Sequence, residues 1–369
     1  MASHPNGPLA EPYRVRIVDH DLARCGLASW WNRLPQPQRS TMLRWEYLST
    51  WADAFVPRAA CLHIPVVFSG STPVAALPLY RTGRLLRSLA NDAHSDVFDV
   101  GCDPAHPSAC DTLVAHLLRY RTCLERLDGS SPLLAGLRRA APPMIVDPAQ
   151  SPWIQLPATP DAMLAQLSSK FRAGVRRAER ALATLGTVTL RDHRSGDPEF
   201  EQAFSTLLDL EAASWKGTQG NAITLRPETL RFYRRLAVTG PVRRWARVAV
   251  LRVDDRVVAA QFDLEHDAVR TGLKMASTAD LGRGQSPGTV LLWHVVRDCI
   301  SRGLTRLELG GELEGWKRHW TTTGADRTCV RTWPRTLTGQ LTFGAREQVK
   351  QAVRPLRATV GSRQRTDGS

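Results

Sequence analysis

Residues 248–276 read VAVLRVDDRVVAAQFDLEHDAVRTGLKMA. Two apolar, β-branched runs, 248–253 and 257–264, flank the short polar turn Asp254-Asp255-Arg256, which is the pattern of a β-hairpin. A third run, 269–276, follows the turn at His266-Asp267. Strands joined by turns this short pair antiparallel with their neighbours, so the stretch predicts an antiparallel meander. The next residues extend it into an α/β unit. A glycine-rich loop leads into a helix over 289–302, with Leu292, Val295, Val296, Cys299 and Ile300 on its inner face. Gly303 stops the helix, and 305–309 reads as a further strand.

Upstream, Leu164, Leu167, Phe171, Val175, Ala178, Leu182 and Leu185 step by three and four, which predicts one amphipathic helix ended by Gly186. Further helices are expected over 199–214 and 227–237. Pro142, Pro143, Pro148, Pro152 and Pro157 crowd the preceding stretch, and proline density disfavours helix and inner strand. A lobe boundary is placed there. The earlier half repeats the hairpin habit: Val66-Val67-Phe68, a Ser-Gly-Ser turn, then Val74-Ala75-Ala76-Leu77. We therefore expect a mixed α/β chain whose largely antiparallel sheet carries helices on both faces, built as two similar lobes. The expected organisation is a flexible N-terminus (1–13), a first lobe (14–150), a second lobe (151–338) and a basic tail (339–369).

Composition narrows the function. The chain has 369 residues, too many for one ordinary core. With 43% hydrophobic and 23% charged residues, its bulk is globular. No run approaches the ~18 apolar residues of a membrane span, and the polar start lacks the layout of a secretory signal, so a cytoplasmic location is expected. Seven widely spaced cysteines with no C-x-x-C pair point to buried thiols in a reducing compartment, and no histidine pair has metal-ligand spacing. Hence no metal is expected. The net charge of +14 favours an anionic partner.

Four segments can carry chemistry. The run Leu281-Gly282-Arg283-Gly284-Gln285-Ser286-Pro287-Gly288-Thr289 opens a helix, where outward amides carry partial positive charge; together with the glycines they form an anion cradle, and a plain helix cap is the rival reading. The run Glu308-Leu309-Gly310-Gly311-Glu312, followed by Gly315-Trp316-Lys317-Arg318-His319-Trp320, places a lysine between two tryptophans. Its ammonium is suited to stabilising an oxyanion, and Glu308 or Glu312 to taking a proton from an amine. On spacing alone, a surface lysine and core tryptophans are the favoured reading. Arg172, Arg176 and Arg180 share a helix face with Lys170 and Arg177 nearby, a stripe for phosphates or a solvated face. Glu211 to Gly217 ends a helix in Trp215-Lys216-Gly217, a pocket corner or a simple stop.

The series Val258-Ala259-Ala260-Gln261-Phe262, Lys274-Met275-Ala276, Ser286-Pro287-Gly288-Thr289, Glu308-Leu309 and Trp316-Lys317-x-x-Trp320 resembles the BioF2-like or CelD-like branch of the GNAT acyltransferase superfamily, related to the Fem-type aminoacyl transferases. The resemblance covers about residues 168–320. It implies two tandem GNAT lobes and an acyl-CoA co-substrate, whose pantetheine arm enters a splayed sheet. It also implies a pyrophosphate held by Arg283, Ser286, Gly288 and Thr289. Lys317 stands where these families carry a lysine near the transferred acyl group. Trp215, Lys216, Gln261, Lys274 and Trp316 form the substrate-binding set that it implies. The sequence departs from the pattern in having Trp316 for a usual tyrosine, Glu308 for a usual aspartate, and Pro287 before Gly288.

The expectation is an N-acyltransferase of direct-attack type, with Lys317, Glu308 and Glu312 as the catalytic candidates. A donor change to aminoacyl-tRNA is the nearest rival, favoured by the charge. A non-catalytic lobe that binds nucleic acid or a partner protein is the other.

Overall fold

The computed structural model describes residues 13–343, apart from 23, 24, 36–39, 215, 216, 218, 221, 279, 283, 314 and 337. The first half runs β1 (Arg14–Val18), α1 (Ala28–Arg33), α2 (Trp45–Phe55), β2 (Cys61–Leu62), β3 (Ile64–Ser69), β4 (Thr72–Ala76), β5 (Leu79–Thr82), β6 (Leu85–Ser88), β7 (Gly101–Cys102), α3 (Ala109–Leu117), β8 (Arg121–Asp128) and α4 (Pro132–Ala140). The second half runs β9 (Met144–Gln155), α5 (Pro160–Gln166), α6 (Ser169–Ala183), β10 (Val188–Arg194), α7 (Phe200–Ala213), α8 (Pro227–Arg234), β11 (Ala246–Val253), β12 (Arg256–His266), β13 (Val269–Ser277), α9 (Pro287–Ser301), β14 (Arg306–Glu308) and β15 (Gly324–Thr332).

One 11-stranded sheet, ordered β10-β11-β12-β13-β14-β9-β15-β8-β6-β5-β2, joins both halves; β1, β3, β4 and β7 form a smaller sheet. The predicted meander is β11-β12-β13, with antiparallel pairing throughout. Asp267 and Ala268, both at positive φ (49° and 61°), close its second turn. Two pairs in the large sheet are parallel, β6 with β8 and β13 with β14, and each is bridged by a helix, α3 or α9. The two halves thus repeat one β-helix-β unit.

Alternation along β11 decides which helices cover which face. Val248 and Val250 enter a core with α2, α7 and α8, whereas Ala249, Leu251 and Val253 enter another with α5, α6 and α9. The first of these cores packs Trp45, Tyr47, Leu48 and Trp51 of α2 against Phe232 and Tyr233 of α8, so helices of the two halves bury each other. Burial of that many aromatics fixes the halves together, because each removes 150–250 Å² from water by ordinary estimates of about that size.

Two local expectations change. The proline cluster does not interrupt regular structure: Pro148 and Pro152 lie within β9, paired with Thr328 and Gly324 of β15. Over 144–152 the strand pairs with β15, and only at 153–155 with β14, so these prolines sit where the second edge has no ladder to complete. The single helix expected over 164–185 is two, because Leu167 is extended (ψ 150°) and the Ser168 hydroxyl caps a new helix by accepting the Phe171 N–H.

Candidate active site

β13 and β14 run parallel and pair only at Val269–Thr271 with Arg306–Glu308. Beyond Thr271 they diverge. The edge of β13 from Gly272 to Ser277 then faces a cavity of about 440 Å³ between the halves of the chain. Its other walls are the loop Asp92–Asp96, the segment Glu308–Gly311, and Trp316 with Lys317.

The glycines after β14 are a steric requirement. Gly310 and Gly311 both have positive φ (68° and 64°), and a Cβ on Gly310 would stand 2.6 Å from the Gly272 carbonyl oxygen. This tight crossing turns the chain back so that Lys317 reaches the cavity, where its Nζ donates to the Gly310 carbonyl. Trp316 is 47% exposed at the rim, with the Lys317 Nζ 5.8 Å from its ring centre, while Trp320 is buried in the core beside Phe171. The two tryptophans therefore divide between the two roles weighed for them.

Glu308 is buried at the cavity floor. Its carboxylate accepts from Thr271 Oγ1 (2.8 Å) and Ser40 Oγ (3.5 Å), and lies 3.2 Å from Arg306. Burial pushes its pKa up, against Arg306 and Thr271. Gln261 and Lys274 line the same cavity. Gln261 Nε2 donates to Asp263 Oδ1 at 2.6 Å, and Lys274 Nζ sits 5.6 Å from the Tyr233 ring centre. Gly288 adjoins the far end: a Cβ there would be 3.5 Å from Met275 Sδ and 3.8 Å from Ser277 Oγ, both on the cavity wall. Ser286 precedes α9 in a left-handed conformation (φ 38°), and its carbonyl takes the Thr289 and Val290 amides. With Pro287 lacking an N–H, Gly288 is the first-turn position whose amide can meet an incoming oxygen.

Glu312 is not part of this cavity. The crossing at Gly310-Gly311 turns its side chain to the other side, into a separate exposed cleft with Gln150, Arg318 and Asp326. Arg283, Trp215 and Lys216, and the tail from 344 onward, lie outside the described residues.

Two functional candidates come from the first half and were not identified from the sequence. Asp96 is buried; its Oδ1 accepts the Gly311 N–H at 2.6 Å and lies 3.6 Å from Arg126, while its Oδ2 has no protein partner. Burial pushes its pKa up, against Arg126 and the Gly311 bond. His94 stacks on Phe55 (4.8 Å) with Nδ1 3.4 Å from the Tyr233 hydroxyl, and burial, with Lys274 and Arg226, pushes its pKa down to about 3, so it is neutral. Their one sequence signal is the polar run Asn91-Asp92-Ala93-His94-Ser95-Asp96, which only the fold carries to the second half.

Among the described residues no cluster suited to a metal ion is present, and no helix is long and apolar enough to cross a membrane. Residues 169–318 match the model of the acetyltransferase (GNAT) domain family. No curated protein sequence matches the chain. Among solved structures it is similar to FemX (TM-score 0.51, 10% identity, 82% of this chain and 94% of that one). It is also similar to the C-terminal domain of a protein named as a lysylphosphatidylglycerol synthetase from Agrobacterium fabrum (TM-score 0.50, 14% identity, 77% and 86%). A third is a conserved protein of unknown function from Bacteroides thetaiotaomicron (TM-score 0.51, 12% identity, 86% and 100%). At these identities the likeness is one of fold, and it agrees with a helix-bridged parallel pair that splays beside a cavity. Residues 169–318 are a GNAT acyltransferase domain.

Proposed function

We propose that the chain is an N-acyltransferase of the BioF2-like kind, which moves an acyl group from an acyl-CoA thioester straight onto an amine. The observation that carries this reading is the free β13 edge past Thr271, opening on a cavity that holds both a buried carboxylate, Asp96, and an ammonium, Lys317. The strand edge offers backbone N–H and C=O groups to the amides of a pantetheine arm. Gly288, at the end of that edge, offers an amide at a helix N-terminus to the pyrophosphate, with Ser286, Thr289 and Arg283 beside it in sequence.

In this reading the amine nitrogen attacks the thioester carbonyl carbon. A C–N bond forms, the carbonyl π pair moves to oxygen, and the N–H proton goes to the Asp96 carboxylate. Lys317 faces the developing oxyanion. Collapse breaks the C–S bond, and the sulfur leaves as thiolate, which takes a proton from Asp96 or solvent. Glu308, already bonded to Thr271 and Arg306, positions the end of β14. The lobes divide at residue 150, and the enzyme works in the cytoplasm.

Calorimetric titration with coenzyme A tests the donor. Micromolar binding by the parent and at least tenfold weaker binding by Gly288→Asp are expected. A Cβ at Gly288 meets only ordinary contacts, so that variant folds. No binding by folded parent protein discards acyl-CoA.

One observation favours a second donor, aminoacyl-tRNA. Lys170, Arg176, Arg177 and Arg180 are exposed on α6, and Phe171 of the same helix stacks on His319 (5.0 Å), two residues from Lys317. A basic face thus adjoins the cavity mouth. If it takes a single-stranded acceptor end, log affinity falls with log salt at about 0.7 per phosphate neutralised.

A further inference from the structure

Arg87, Cys123 and Arg331 form one row across the neighbouring strands β6, β8 and β15. Residues opposite one another in a sheet share a face, and the adjacent positions Leu86, Leu124 and Val330 are buried in the core that holds α3 and α4. The row therefore faces away from that core. With Arg121, Glu125 and Trp333 it lines a cavity of about 270 Å³, separate from the one beside β13. Cys329 reaches the row from β15. It stands two residues before Arg331 and on the same face, since β15 pairs with β9 without a break there. Its thiol hydrogen-bonds the Cys123 sulfur. Diagonal neighbours in a regular antiparallel pair stand ~7–8 Å apart, wide for a disulfide. Here the register shifts at Cys329, between Thr328 opposite Leu127 and Val330 opposite Leu124, and such an irregularity bends the strand locally. The two sulfurs meet at that shift.

The two thiols are unequal. Cys123 has Arg87 and Arg331 as its ladder neighbours, while Glu125 Oε1 lies 3.9 Å from its sulfur and 3.8 Å from Arg87. The bond from Cys329, with Arg87 and Arg331, outweighs burial and Glu125 and brings the Cys123 thiol down to about 7. The same bond, with burial, pushes Cys329 up. Burial also pushes up Cys25, Cys102, Cys110 and Cys299. Cys123 alone combines thiolate character, a cavity wide enough for a small reagent and a second thiol in contact. A cysteine of that kind is oxidised selectively and then passes to a disulfide.

We infer that Cys123 and Cys329 are a redox modification site, in which Cys123 reacts with a hydroperoxide and Cys329 resolves the product to a disulfide between β8 and β15. The Cys123 thiolate attacks the terminal peroxide oxygen and the O–O bond breaks. The departing alkoxide takes a proton from solvent and leaves as alcohol, or as water where the oxidant is hydrogen peroxide. Cys123 is then a sulfenic acid. The Cys329 sulfur attacks the Cys123 sulfur, an S–S bond replaces the S–O bond, and the hydroxide leaves as water with the Cys329 proton. The two thiols give up two electrons and two protons, and the peroxide takes them.

The test treats the reduced full chain, freed of reductant, with hydrogen peroxide at neutral pH. Non-reducing digestion and mass spectrometry should find the Cys123 peptide joined to the Cys329 peptide, two hydrogens lighter than their sum and parted by reductant. In Cys329→Ser the reaction should stop at the Cys123 sulfenic acid, which dimedone traps. Cys61, exposed on β2, is the internal reference, and Cys123 should be oxidised at least about tenfold faster than it. In Cys123→Ser, oxidation of Cys329 should slow by at least about tenfold. Absence of the link in folded parent protein, a main product that joins either residue to another cysteine, or dimedone on Cys61 ahead of Cys123 overturns the site. The parent's own peptide map decides this even where a serine variant fails to fold.

Discussion

Asp96 accepts the backbone N–H of Gly311 at 2.6 Å, across 215 residues of sequence. The bond ties the loop after β6 to the crossing after β14 and puts a carboxylate of one half against the splay of the other. Because burial raises its pKa, this carboxylate is a stronger base than an exposed aspartate.

Replacing Asp96 with Asn should lower kcat for acyl transfer by about 10²-fold or more, the usual scale for a lost general base, with little change in coenzyme A affinity. The parent's pH–rate profile should fall on an acidic limb lying above the ordinary carboxylate range. The variant should lack that limb. Coenzyme A release followed across pH checks both, and a variant that keeps the limb would remove Asp96 from the proton transfer.

Lys317→Ala tests the oxyanion role. Lys317 is half-exposed and donates to the Gly310 carbonyl, so the fold should survive its loss. Turnover should drop by about 10- to 100-fold, because one preorganised cationic donor is removed. Unchanged turnover in protein with parental circular dichroism would assign Lys317 to bracing the Gly310 turn alone.

Arg270→Met should destabilise the chain by about 3–5 kcal/mol, because Asp263 and Asp192 would be left as buried charges short of their partner. Arg247 and Arg302 still reach Asp192, so the loss concentrates on Asp263 and, through it, on Gln261. Urea midpoints measure the first effect. A raised KM for the amine, read from coenzyme A release, measures the second.

The sequence was most legible where period and turn chemistry agree. The meander, α9 and β14 stand within a few residues of their expected places, because alternation and apolar steps report burial directly. Proline density misled at Pro148 and Pro152: what matters is which strand edge lacks the N–H, and that is a tertiary fact. Lys317, Glu308, Gln261, Lys274 and Trp316 meet in one cavity. Glu312, four residues beyond Glu308, does not, since two left-handed glycines intervene and break the strand's alternation. Asp96 and His94 were invisible because no local pattern records a contact made between halves.

The last prediction concerns acid stability. His63 and His116 lie Nε2 to Nε2 at 2.9 Å, stacked at 5.2 Å, with the Tyr120 ring edge-on to His63. One nitrogen must accept from the other, so the pair cannot hold both rings fully protonated. Burial pushes the His63 pKa down to about 4, aided by His116 and Arg81 and opposed by Asp19; burial and Arg119 lower that of His116. In the unfolded chain both titrate near 6.5. As pH falls below that value the unfolded state takes protons first. The stability the pair contributes is whole above about 6.5 and is lost progressively toward 4, by at most about 1.4 kcal/mol per pH unit for each ring. Asp96, Asp99 and Glu308 act with the opposite sign, since burial raises their pKa values, that of Asp99 to about 7. The informative quantity is therefore the difference between parent and His63→Phe, which keeps a ring in the stack and removes the buried base. Urea midpoints at pH 7 and pH 5 should separate less in His63→Phe than in the parent; an equal separation would place the acid sensitivity outside this pair.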